Sequence, residues 1–503
     1  MNLNYKQATT DYDVAIVGYG PTGATLAHLL SLYDLKVLIL DKEKEMYPLP
    51  RAVHFDDETM RVFQTIGIAD KLSPMLHVNP GMKFVDKDGQ LLLDWPRPQE
   101  ISWQGWNASY RFHQPDLEHI LRTSLMTKSN VTIRTGCNVT NISQNAQKVT
   151  AHFTEHKNIQ PQNITADYIV GCDGANSLVR RLLGSELEDM GFWQKWLVVD
   201  MLLKEDMPQL GDHSIQFCDP ERPITYCRNP KNRRRWEIAT VDGELDENIL
   251  KAENIWRLLS KWIKPGQAEI ERTAIYRFRS VVANRWHCGR LLIAGDAAHL
   301  MPPFMGQGMC CGIRDAANLA WKLALCIKNE VGEEILNSYA QERIPHVKAY
   351  ISMAVTLGEL IYADDPTTAL MSINEQSTGV QNLKMKSISP KLGDADFFSS
   401  LLGNTKAVGQ LFGQPTLSNG LKMDDVYGYS AVLISTGLPD CKACPILSAK
   451  FEKPVYAFLD KLGVNTVLLR PDRYVLATAN DTNGLNKLCN LAYRTFGSGY
   501  QRH

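Results

Sequence analysis

The stretch Asp13-Val-Ala-Ile-Val-Gly18-Tyr-Gly20-Pro21-Thr22-Gly23 constrains this chain more than any other. It is an apolar run ending in G-x-G-x-x-G. An apolar helical stretch, Ala24 to Leu30, follows, and then a second apolar run, Val37-Leu-Ile-Leu-Asp41. Strand, glycine turn, helix and strand in that order form a nucleotide-binding βαβ unit. The glycines permit a tight turn, close approach of a pyrophosphate and close helix–strand packing, and the acid after the second strand reaches a ribose. Gly18, Gly20, Pro21, Thr22 and Gly23 are therefore candidate phosphate-side residues, with Asp41 and Lys42 on the ribose side.

A later apolar run, Leu291-Leu-Ile-Ala-Gly-Asp296-Ala-Ala-His299, ends in Gly-Asp. The loop Pro302-Pro-Phe-Met-Gly306-Gln-Gly308-Met309 then opens a long Ala/Leu-rich helix. A helix start leaves backbone N–H groups unpaired and carries partial positive charge, so it favours an anionic group. Asp296 is placed to bind polyol hydroxyls, and the backbone of Gly306, Gly308 and Met309 to face an anion. A flavin has both parts: a ribityl chain, and a ring that becomes anionic on reduction. Cys310 and Cys311 read as small packing residues, and His299 as a structural hydrogen-bonding residue.

The third element, Ala166-Asp-Tyr-Ile-Val-Gly171-Cys-Asp173-Gly174-Ala-Asn176-Ser177, is an apolar run ending in Asp-Gly before a helix cap. In this order the three elements resemble the FAD-dependent aromatic hydroxylases, the class A flavoprotein monooxygenases, over about residues 11–360. The segments Pro50-Arg51-Ala-Val-His54 and Arg111-Phe-His-Gln114 are most similar to the branch that hydroxylates 3-(3-hydroxyphenyl)propionate and related phenols.

The resemblance implies bound FAD, with Arg51 and Gln114 at its phosphates and ribityl chain, Arg111 as their companion, and Asp173 facing the pyrophosphate. It implies O2 consumption and ortho-hydroxylation of a small phenolic substrate through a flavin C4a-hydroperoxide. NADH or NADPH would be a transient co-substrate, because the chain has no second G-x-G-x-x-G. His54 lies one position beyond the place where phenol hydroxylase carries an acid that meets the substrate hydroxyl. It is the candidate catalytic base, with Tyr226 as its rival. Arg222, Arg228 and Arg233 to Arg235 are candidates to meet a substrate carboxylate. Two alternatives stay open: a flavin monooxygenase acting on a non-phenolic antibiotic, quinone precursor or heteroaromatic ring, and a non-catalytic FAD-binding protein.

The expected fold is α/β: a Rossmann-like FAD-binding domain of the GR2 type, an antiparallel β-sheet substrate domain and a C-terminal thioredoxin-like domain. Residues 1–80, 107–183 and 280–360 are assigned to the first, and 81–106 and 184–279 to the second. A helical linker over 361–394 leads to the third at 395–503. In the tail, Asp425 to Ile434 and Thr466 to Leu476 read as strands.

A length of 503 residues fits two or three domains. The net charge of −1 gives no reason to expect nucleic acid as a partner. No apolar run has the length of a membrane span, so no membrane association is expected. The polar start and 11 scattered cysteines suggest the cytoplasm rather than a disulfide framework. Cys441-Lys-Ala-Cys444 has no second cysteine pair to complete a zinc site, and no metal is expected. H-E-x-x-H and G-x-S-x-G are absent, which removes hydrolase chemistry. A homodimer is left open.

Overall fold

Val14 to Ile16 and Val37 to Leu40 are fully buried, as strands must be in a parallel sheet covered on both faces. The computed structural model describes residues 10–497 apart from 157, 329–330, 367, 370–386, 400–405, 438–440, 442 and 450–451. Much of the helical linker expected over 361–394 thus lies outside the described residues. Five parallel strands run side by side in the order Leu291–Ile293, Asn158–Gly171, Tyr12–Val17, Val37–Asp41 and Val131–Thr135. The helix Pro21–Ser31 starts on a proline, whose missing N–H costs nothing at that position, and packs against the helix Gly308–Ile327.

An eight-stranded sheet forms the roof of the site. Its order is His299–Leu300, Ala268–Ala283, Leu187–Leu203, Arg233–Ala239, Ile224–Arg228, Ser214–Cys218, Gly81–Asp86 and Leu91–Pro96. Its pairs are antiparallel except Ser214–Cys218 with Gly81–Asp86, which is parallel and corrects the expectation of a wholly antiparallel sheet. A small sheet joins His54–Asp56 and His77–Val78 to Ser109–Arg111.

The tail carries a mixed sheet in the order Ile446–Ser448, Val432–Ser435, Thr466–Leu469 and Val475–Ala479. With the helices Lys453–Leu462 and Thr482–Phe496 it accords with a thioredoxin-like class. Two local readings are corrected. Asp425 to Ile434 is not one strand, because the helix Met423–Tyr427 precedes Gly428 at φ +55°. Thr466 to Leu476 is a hairpin whose turn holds Arg473 at φ +67°.

Buried ion pairs fasten this tail to the rest. Arg61 Nε and Arg473 Nε donate to Asp424 at 2.5 and 2.7 Å. Tyr474 donates to Glu58 at 2.7 Å, and Arg314 bridges Glu58 and Asp56 at 2.5 Å each. No helix among the described residues is long and apolar enough to cross a membrane.

Candidate active site

Val17, Gly171 and Ile293 sit in one register row of three adjacent parallel strands. The three loops that follow them therefore converge at the carboxyl edge of the sheet, where open α/β sheets bind ligands. Gly18 has φ +108°, and a side-chain carbon there would lie 2.3 Å from the Cys172 carbonyl oxygen. One at Gly23 would lie 2.2 Å from the Gly18 carbonyl oxygen, whereas one at Gly20 would meet nothing within 4 Å. Gly18 and Gly23 thus serve internal packing, and Gly20 is the glycine that faces open space.

Asp41 accepts the N–H of Tyr19 and of Glu43, each at 2.7 Å, and so fixes the turn. The Lys42 side chain is 71% exposed. Asp173 accepts the N–H of Leu178 at 2.7 Å and of Val179 at 3.2 Å, which makes it a helix cap. None of these three lines the cavity described next, although Cys172 and Gly174 do.

A single cavity of about 580 Å³ runs from these loops to the roof. Gly20, Pro21, Thr22, Arg51, Gln114 and Asp296 line one end. Gln114 Oε1 accepts the N–H of Arg51 at 3.1 Å and of Ala52 at 2.7 Å, which sets the path of that loop. Asp296 has no hydrogen-bond partner among the described residues, and enclosure raises its carboxyl above the ordinary range. The turn carrying it is locked from behind. Asp315 accepts from Gly295 N at 2.9 Å, His299 Nε2 at 2.7 Å and Arg343 Nε at 2.8 Å. Burial opposes the charge on Asp315, but His299 and Arg343 hold its carboxyl below the usual range.

Gly306, Gly308 and Met309 line the cavity at the start of the helix Gly308–Ile327, where first-turn N–H groups have no helical acceptor. Cys310 and Cys311 are fully buried, and burial pushes both thiols up, consistent with packing rather than reactivity. An unpaired carboxylate at Asp296, an open glycine face at Gly20 and a free helix start at Gly308 and Met309, all in one cavity, are groups that could hold FAD.

The other end lies under the roof, with Trp95, Thr225, Cys227, Glu237, Tyr276 and Phe278. His54 faces it. Its Nδ1 lies 3.3 Å from the Gly306 carbonyl oxygen and its Nε2 2.7 Å from Ser109 Oγ, which also accepts from Asn79 Nδ2 at 2.8 Å. The Nδ1–H tautomer satisfies both ring contacts. Burial, reinforced by Arg97, pushes the imidazole down to about 4 and keeps it neutral at pH 7.

The structure does not bring Tyr226 into the cavity. Side chains alternate along the strand Ile224–Arg228, so Thr225 and Cys227 face the cavity while Tyr226 packs 5.2 Å from Trp236 in a separate core. Arg111 lines the cavity, but at the roof end, where it bonds Asn79 and the Arg228 carbonyl. Sequence reasoning missed Arg97, Asn79 and Tyr276, which also line it. Strand alternation marks Tyr276 and Phe278 as sharing a face, but no motif flags the other two.

The model of the FAD binding domain family matches residues 11–354. The chain is 39% identical over 351 residues to a "Probable NADH-specific resorcinol 4-hydroxylase" of Rhodococcus jostii, covering 69% of this chain and 65% of the relative. It is 36% identical over 354 residues to a 3-(3-hydroxy-phenyl)propionate/3-hydroxycinnamic acid hydroxylase of Paraburkholderia xenovorans, covering 70% and 56%. These two matches span less than two thirds of the relatives' lengths. A protein of the same name from Burkholderia cenocepacia is 31% identical over 529 aligned residues, covering 95% of each chain. The crystal structure of the flavin-dependent monooxygenase PieE with FAD and substrate superposes with a TM-score of 0.82 at 20% identity, covering 97% of this chain and 100% of that one. The loops converging on one cavity and the full-length match lead to the same conclusion: the chain belongs to the FAD-dependent aromatic hydroxylases, the class A flavoprotein monooxygenases.

Proposed function

We propose that this protein ortho-hydroxylates a small phenol, such as 3-(3-hydroxyphenyl)propionate, using FAD, O2 and NAD(P)H. One observation carries the reading: one continuous cavity joins the cofactor loops to an aromatic-lined chamber beneath the roof. Substrate ring and cofactor then share one space. Bound FAD supplies the redox chemistry, taking reducing equivalents from NAD(P)H and delivering one atom of O2 to the ring. The Rhodococcus relative's name supports NADH as the reductant, and the relatives' phenolic substrates support a phenol here.

The chain's own residues prepare that step. Gly308 and Met309 present backbone N–H groups to negative charge at the ring. Trp95, Tyr276 and Phe278 surround an aromatic substrate. His54, neutral and lining the cavity, is placed to accept a hydrogen bond from the phenol hydroxyl, which makes the ring more electron-rich without a full proton transfer. Arg51 and Gln114 hold the loop beside the cofactor.

The test is NAD(P)H oxidation across a panel of phenols, with mass spectrometry of products formed under 18O2. Stimulated oxidation with one labelled oxygen added ortho to the hydroxyl is expected. Silence with every phenol overturns the reading.

A further inference from the structure

Most roof arginines direct their charge at carboxylates of the protein: Arg222 at Glu244, Arg228 at Asp212, Arg233 at Glu271 and Arg235 at Asp200. Arg234 donates to the carbonyls of Lys231 and Arg233. Four arginines of the cavity wall, Arg51, Arg97, Arg111 and Arg279, have no ion pair among the described residues; Arg51 and Arg279 are exposed, whereas Arg97 is half-buried and Arg111 buried. Arg111 is 4% exposed, and its guanidinium bonds only neutral acceptors. Nε and Nη2 donate to Asn79 Oδ1 at 3.1 and 2.8 Å, and Nη1 to the Arg228 carbonyl at 2.9 Å. Arg97 places Cζ 4.1 Å from the centroid of the Trp95 ring, and its Nη1 is buried with no hydrogen-bond partner. Among the described residues neither guanidinium forms an ion pair.

The nearby carboxylates compensate these charges only in part: Asp212, which acts on Arg111, is paired with Arg228. Burial, and next the Arg111 charge, lower Arg97 to about 10. The carboxylates that act on Arg97 are Asp56, already committed to Arg314, and Asp57, which burial pushes up to about 7. Buried cations without partners are costly, and a bound anion removes that cost. A guanidinium suits a carboxylate because its planar fork gives two parallel N–H bonds. The position also fits: Arg111 pairs directly with His54 across two antiparallel strands, so both side chains leave the same face. A ligand with a hydroxyl at His54 has its side chain beside Arg111.

We propose that Arg97 and Arg111, oriented by Trp95 and Asn79, receive a carboxylate on a short side chain of the phenolic substrate. The proposal rests on the phenol-hydroxylating reading above and assigns the anion to this pair rather than to Arg222, Arg228 or Arg233 to Arg235.

The test is calorimetric titration of the FAD-loaded enzyme with 3-(3-hydroxyphenyl)propionate and with the matching neutral alcohol, 3-(3-hydroxyphenyl)propan-1-ol. The wild type should bind the acid at least tenfold more tightly. Arg97→Gln, checked for full FAD content, should bring the ratio of the two Kd values to within about threefold, and Arg97→Lys should restore part of it. Arg111→Gln should act in the same direction. Equal binding of acid and alcohol by the wild type overturns the proposal without any variant, and so does a tenfold preference surviving in FAD-replete Arg97→Gln. If both phenols bind and are hydroxylated but the acid has no advantage, the anion site falls alone. If neither binds, the anion site falls, while the phenol reading stands or falls separately on the full panel of phenols.

Discussion

Thr22 Oγ1 occupies the space that a side chain at Gly312 would take: a carbon built there would lie 2.3 Å from it, and one at Gly295 would lie 2.7 Å from it. The first glycine turn, the Gly-Asp turn and the helix after it are thus interlocked through one hydroxyl. Gly312→Ala should destabilise the protein by about 1–3 kcal/mol by overpacking, read as a lower urea midpoint with unchanged slope. Thr22→Ala in the same chain should recover part of the loss, because it removes the opposing atom. Purely additive effects in the double variant would show that these two positions do not meet.

Acid precipitation should release FAD from the purified protein, as it does for a non-covalently held cofactor. Asp296→Ala removes a charge-assisted hydrogen bond to the ribityl chain. Such bonds contribute about 1.5–3 kcal/mol, so FAD affinity should fall by about tenfold to a hundredfold in a fluorescence titration of the apoprotein. Undiminished affinity would take Asp296 out of the cofactor's contacts.

His54→Asn should retain FAD and NAD(P)H oxidation but divert it to hydrogen peroxide, because the phenol loses its hydrogen-bond acceptor. A coupling assay comparing peroxide with hydroxylated product decides this. Full coupling would exclude His54 as that acceptor, and Tyr226, in another core, would not inherit the role.

Acid should also destabilise the protein through this residue. The His54 pKa is lowered to about 4 from 6.5 by burial and by Arg97, so the folded state binds fewer protons than the unfolded chain between those values. Its contribution is intact above about pH 6.5 and is lost as the pH falls toward 4, on the order of 3 kcal/mol in all at about 1.4 kcal/mol per pKa unit. His28, also lowered to about 4 by burial, adds to the same slope. Denaturant unfolding across this range should show a shallower loss in His54→Asn than in the wild type.

Asp424→Ala would leave Arg61 and Arg473 buried without their carboxylate. Breaking a buried pair from one side costs about 3–5 kcal/mol, so this single change should lower the thermal midpoint far more than a surface substitution. A midpoint within one degree of wild type would show that the tail is only loosely docked.

The cofactor end was legible because its residues follow strands whose apolar runs and glycines are visible locally, and because Val17, Gly171 and Ile293 share a row. The substrate end was not. Tyr226 was misjudged because a strand's two faces differ by one residue, and nothing local says which face meets the cavity. The roof arginines looked available because their partners, Asp200, Asp212, Glu244 and Glu271, come from other turns and strands. Arg97 carries no motif and became notable only through the partner it lacks.

The bonds from Tyr474 to Glu58, and from Arg314 to Glu58 and Asp56, reach the small strand that carries His54 from behind. The tail therefore acts on the reaction chamber at a distance, as a brace for one of its walls, although the family match ends at residue 354. Divergence confined to this region would leave every cofactor motif intact while shifting how the chamber grips its guest. Grafting a relative's tail onto this chain should therefore disturb the strand that carries His54 unless Tyr474 is kept.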